Sequence, residues 1–152
     1  MRSYLLPVIL MLSLFCNCSV FAQKGCDPRL WNHVYDKEWL HVKEYCITVK
    51  GTIYTATNED DGSVHIRLLP DKGQDSLLNE KNTSGEYGCL VVTPICVGAV
   101  SAPEAMDACS GLVNKIKIPK RGEHVKVTGI YVYNAKTGYN EIHPATSITL
   151  IP

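Results

Sequence analysis

The chain of 152 residues reads as a mainly β domain: five strands, with one short helix between the third and the fourth. Three observations predict this class. Runs of β-branched and aromatic residues alternate with polar ones at the two-residue period of a strand. Clusters rich in Gly, Asn, Asp and Pro separate them. One stretch has helix-forming composition with proline near its start.

The elements follow in order. Glu44 to Thr57 is a long first strand, with Tyr45, Ile47, Val49, Gly51 and Ile53 on one parity and a kink expected where Gly51 lacks a side chain. Asn58 to Gly62 is a turn, and Ser63 to Leu69 returns as the second strand with Val64, Ile66 and Leu68 on one face. These two runs pair as a hairpin. Pro70 to Gly85 reads as a long surface loop that dips Leu77 and Leu78 toward the core, a length that points to a binding role. Tyr87 to Val97 is the third strand, where Pro94 implies an edge position or a bulge. Ala102 to Cys109 is the short helix, stopping before Gly111. His124 to Tyr133 is the fourth strand, Asn134 to Asn140 a turn, and Ile142 to Ile151 the fifth.

Residues 1 to 22 carry Arg2, an apolar run from Leu5 to Phe15 and a small residue, Ala22, before Gln23. This is the layout of a secretory signal peptide, cleaved after Ala22. The run is short for a membrane span, and no second one follows, so no transmembrane anchor is expected. Lipidation at Cys16 or Cys18 is disfavoured by the bulky or amide residues before them. Cleavage leaves 130 residues, a single-domain length: an arm over residues 23–43 and a β domain over 44–152.

Loss of Arg2 leaves 14 basic and 15 acidic side chains, a formal charge of −1. That balance argues against a partner held mainly through phosphates, although Lys115, Lys117, Lys120 and Arg121 lie close together. In an exported chain the remaining cysteines read as disulfide candidates. Cys26 pairs with Cys46, tying the arm to the first strand, and Cys96 with Cys109, pinning the insertion to the sheet. Cys89 is left single as a small buried apolar residue. No Cys-x-x-Cys pair supports a zinc knuckle or redox site.

The order β-β-β-α-β-β, with a long Gly-kinked first strand, resembles an OB fold, a five-stranded Greek-key barrel. The resemblance runs from about Glu44 to Ile151; a two-sheet sandwich is the alternative. It implies a ligand face on strands 2 and 3. Thr128-Gly129 together with Gly138-Tyr139-Asn140-Glu141-Ile142-His143-Pro144 also resembles a motif of an uncharacterised family of exported bacterial proteins, usually written with Trp at the position of Tyr139.

Several residues are candidates for ligand contact. Glu141 and His143, two apart on a strand, share a face, where a carboxylate and an imidazole can fix the turn, grip a ligand, hold a metal or act as base and orienter. His65 and Arg67 lie on the outer face of the second strand, with Tyr54 on the neighbouring strand. Asn79 and Asn82 offer amides in the long loop, or satisfy their own backbone; Asn82-Thr83-Ser84 is also a glycosylation sequon. Trp31 and Trp39 sit in an aromatic arm beside His33 and His41, expected to close a barrel mouth.

The leading expectation is a secreted or periplasmic, disulfide-stabilised, non-catalytic module that binds a carbohydrate, peptide or protein, with no cofactor. Nucleic acid enters by analogy of fold alone. A metal-binding protein or metal-dependent hydrolase using Glu141, His143 and either His65 or His124 is one alternative. An inhibitor or immunity protein of an exported enzyme is another.

Overall fold

The computed structural model describes residues 25–152; the expected signal peptide lies outside the described residues. Five strands form one mixed sheet: β1 (Leu40–Asn58), β2 (Val64–Pro70), β3 (Leu90–Val92), β4 (His124–Asn134) and β5 (Asn140–Leu150). Their order is β1-β2-β3-β5-β4, and β4 pairs back onto β1, so the sheet closes on itself. All neighbours are antiparallel except β3 and β5, which run parallel.

Closure depends on β1 serving two partners. Its first part pairs with β4 and its second with β2, and Gly51 and Thr52 belong to both ladders. Gly51 is where the strand passes from one partner to the other. A Cβ there would run into the Leu69 backbone, so the expected kink has a steric cause. The inward residues Val49, Ile53, Val64, Ile66, Leu68, Val92, Val125, Val127 and Ile142 form the main core. Burying aliphatic side chains of this kind supplies roughly 1.5–3 kcal/mol each.

The opposite face of β4 builds a second core. Ile130 and Val132 pack with Leu30, Val34, Leu40, Ile95 and Cys96. The arm therefore lies against the flank of the sheet rather than across a barrel mouth. It is built from two 3₁₀ turns, Pro28–His33 and Lys37–Trp39. The disulfide Cys26–Cys46 ties its start to β1, and Cys96–Cys109 holds the segment beneath it. Both pairings match the sequence expectation. Cys89 is free and buried, and burial pushes its thiol up, more than the nearby Arg67 lowers it.

Four local expectations need correction. The first strand starts earlier, at Leu40, and Tyr45 is 66% exposed because register shifts flank it and break the alternation. The third strand is much shorter than Tyr87 to Val97. Tyr87 and Gly88 are left-handed and so is Cys96, so the extended run is interrupted at both ends. The helix expected at Ala102 to Cys109 is only a 3₁₀ turn, Pro103–Ala105; eight residues with one buried anchor, Ala105, do not sustain an α-helix. Among the described residues the α-helix is instead α1 (Glu80–Gly85), between β2 and β3, where a loop was expected. Leu77 and Leu78 do pack against the main core as the sequence implied.

Candidate binding cleft

Asn79 and Asn82 make α1. Asn79 Oδ1 accepts from the Asn82 backbone N–H, and Asn82 Oδ1 accepts from the Asn79 N–H, a reciprocal capping box. Asn82 is fully buried and also bridges to β5. Its Oδ1 accepts from the Asn140 N–H at 2.9 Å, and its amide donates to the carbonyls of Asn140 and Cys89. Two donors and two acceptor positions are thus all used. Neither ligand contact nor glycosylation can reach this side chain in the folded domain. Asn79 Nδ2 donates to Gly138 O, so both asparagines hold the turn that launches β5.

That turn delivers Glu141 and His143 to the outer face of β5. Thr93 just past β3 and Asn134 at the end of β4 flank them. Glu141 is 2% exposed. Thr93 Oγ1 donates to its Oε2 at 2.9 Å and Asn134 Nδ2 to its Oε1 at 2.8 Å. Burial pushes the carboxyl up, but the adjacent His143 and these two donors outweigh it and hold the pKa below the usual glutamate value. Glu141 is therefore a buried carboxylate that stays ionised. His143 Nδ1 stands 3.3 Å from Glu141 Oε2, within charge–charge reach, yet it is buried without a hydrogen-bond partner.

A cleft of about 390 Å³ opens above this pair. Tyr35, Trp39 and Tyr139 contribute aromatic wall, and Glu59, Asp60 and Asp61 from the turn after β1 line it on the acidic side. Lys136 also lines it but is spent on Asp36 at 2.7 Å. No basic side chain pairs with Glu59, Asp60 or Asp61 among the described residues. Burial and the neighbouring Glu141 push the Tyr139 phenol far above the ordinary tyrosine range, so it stays neutral.

His65 links this cleft to the outer face of β2. Its ring meets Tyr139 edge-on at 6.1 Å, and its Nε2 lies 3.1 Å from Glu86 Oε2. Arg67 Nε donates to the same oxygen at 2.6 Å. The expectation that His65 and Arg67 share an outer face holds, but both lean on Glu86, a 9%-exposed carboxylate. Tyr54 faces outward nearby, with its ring 5.9 Å from that of Tyr87.

His124 lies elsewhere. It starts β4, whereas Glu141 pairs with Val132 near the other end of that strand. His124 contacts Asp71 and the Pro152 carbonyl. Among the described residues, no group of three or more His, Cys, Asp or Glu side chains is placed to hold a metal ion. Glu86, Tyr87, Thr93 and Asn134 carried no signal of function in the sequence, because each acquires its role through contacts made only on folding.

Compared with known proteins, the chain matches no family model and no curated protein.

Proposed function

We propose that the chain is an exported, disulfide-stabilised, non-catalytic binding module with an OB-like barrel, whose cleft over Glu141 and His143 receives a basic side chain of a peptide or protein partner. The strand order with parallel β3 and β5 supports the barrel assignment; the helix between β2 and β3 is a departure from the expected pattern. The observation that carries the ligand class is charge. Glu59, Asp60 and Asp61 line the cleft with no basic partner among the described residues, beside a buried Glu141 that His143 helps to hold ionised, while the one lysine of the lining, Lys136, and Asp36 neutralise each other. A lysine or arginine stem would lie along Trp39 and Tyr139 while its head meets the carboxylates.

Titration of the oxidised protein with matched basic, neutral and acidic peptides tests this. The basic peptide binds, binding weakens with salt, and Glu141→Gln reduces affinity at least about tenfold, since truncating one partner of a desolvated charge pair costs roughly 2–5 kcal/mol. Equal binding of the acidic peptide, or an unchanged affinity in Glu141→Gln, overturns the reading. The metal-binding alternative would be favoured instead by a rise in melting temperature with zinc or manganese that is lost in His143→Ala.

A further inference from the structure

The C-terminal half of β5 leaves a sheet edge open, away from the cleft. β3 pairs with β5 only at Glu141 and Ile142, whereas β5 runs along β4 as far as Leu150. The Thr93 carbonyl extends the first contact to the Ala145 N–H. Past Thr146, which the β4 ladder skips, only the β4 side is occupied. Ile151 N–H donates to His124 O on that side, and an antiparallel strand alternates the direction of its backbone groups. Ser147 and Thr149 therefore bond β4. The N–H and C=O of Ile148 and Leu150 point to the open edge, where no backbone partner meets them among the described residues.

Residues 117–120 face this edge across a groove of about 410 Å³, with Ile118, Val125, Ile148 and Leu150 as its apolar lining. From Val113 to Ile118 exposure alternates residue by residue, the period of an extended chain. Ile116 and Ile118 are half-buried, and Lys115 and Lys117 are exposed. Yet this segment joins no strand, and the N–H groups of Lys115, Lys117 and Ile118 have no acceptor among the described residues. Leu150 is left 64% exposed. Lys115, Lys117 and Lys120 have no carboxylate partner among the described residues. Glu123, the one acid of the groove lining, accepts from the Lys120 backbone N–H.

We infer that an acidic, extended segment of a protein partner adds to β5 here. Its backbone pairs with Ile148 and Leu150, its alternate apolar side chains enter the groove, and its carboxylates lie along Lys117 and Lys120. Strand addition draws affinity from the main chain and specificity from alternating side chains. It needs no excess charge on the whole chain, which is neutral, because lysines on the groove itself act within the screening length. A second copy of this chain would bring the same lysines, and like charges set opposite each other oppose pairing. A polyanion without a strand backbone would meet the lysines but leave the edge and the apolar lining unused. Lysines that merely guard an edge reject every strand alike.

The test titrates the oxidised protein with ten-residue peptides in which valine alternates with glutamate, serine or lysine, and with a thymidine octanucleotide. The glutamate peptide binds, more weakly as salt rises, and the other three bind at least tenfold less well. Leu150→Pro removes an outward N–H and leaves the β4 ladder intact, a placement that proline tolerates at a sheet edge. It lowers affinity for the glutamate peptide at least tenfold with little change in melting temperature. Lys117→Gln combined with Lys120→Gln touches only exposed side chains, lowers that affinity at least fivefold, and decides the question should Leu150→Pro melt early. The inference is overturned by a glutamate peptide that does not bind, by equal binding of the serine peptide or the oligonucleotide, or by binding that survives the substitutions. A dimer in sedimentation that Leu150→Pro dissolves overturns it too, by making a second copy the occupant. The cleft titration is read in the lysine-substituted protein, so the two sites fail or succeed separately.

Discussion

Asn82 shows how little a residue's chemistry reveals before its partners are known. In the sequence it is one asparagine of a polar loop and part of a sequon. Folded, it is the joint between α1 and β5, with four hydrogen bonds and no exposure. Replacing it by alanine leaves buried backbone donors and acceptors of Asn79, Cys89 and Asn140 unsatisfied, at roughly 1–3 kcal/mol for each group. Asn82→Ala should therefore lose at least about 3 kcal/mol in urea denaturation, and a loss under about 1 kcal/mol would show that water takes over the joint. The pairing of Glu141 with His143, by contrast, was legible, because strand periodicity alone puts i and i+2 on one side. Thr93, which donates to Glu141 from 48 positions away, was not, since nothing local marks a long-range partner.

At the scale of elements, β1 and β2 were legible because alternation survives wherever one face is buried and the other wet. The alternation fails where the strands bend. Register shifts between Val42 and Ile47, and between Ile53 and Thr55, are set by closure of the sheet, a demand that no local pattern records. The helix α1 was missed for a related reason: its signal is the Asn79-Asn82 capping box, which is also what an ordinary asparagine-rich loop looks like. Gly129 gives an element-level prediction. It sits in β4 amid two register shifts, and a Cβ there would overlap Ile142, the Pro144 carbonyl and the Ala145 backbone. Two of those three neighbours are backbone and cannot swing away. Gly129→Ala should cost about 1–3 kcal/mol or more by thermal melting, and it should also displace β5 and so loosen the Glu141 site. A variant that melts with the parent would mean that β5 can shift outward freely.

For the molecule as a whole, the two disulfides, closing separations of 20 and 13 residues, bind the flanking arm and insertion to a sheet that has its own core. Each is worth about 3 kcal/mol in the loop-entropy description. Onto that scaffold two titrating groups impose opposite pH dependences. Glu141 has a folded pKa below its ordinary value. Its contribution is complete above the unfolded pKa of about 4.3 and is lost as pH falls through the lower folded value. His124 is raised, first by the Pro152 carbonyl and then by Asp71. Its contribution is complete below the unfolded pKa of about 6.5 and fades as pH rises through the raised folded value. Stability should therefore be greatest between about pH 4.5 and 6.5, where both contributions are complete. The acid decline reports on the cleft and, to a lesser degree, on the partly exposed Asp27, which its hydrogen bonds with Arg29 hold below the usual carboxylate value; the neutral decline reports on the far end of β4. Urea midpoints measured from pH 2 to 9 should show Glu141→Gln flattening the acid limb alone and His124→Asn the neutral limb alone. Because Glu141 is buried and His124 lies near the surface, salt should erode the neutral limb and leave the acid one nearly unchanged. An acid limb undiminished in Glu141→Gln would move the controlling carboxylate away from the cleft and weaken the case that an ionised group waits there for a cationic partner.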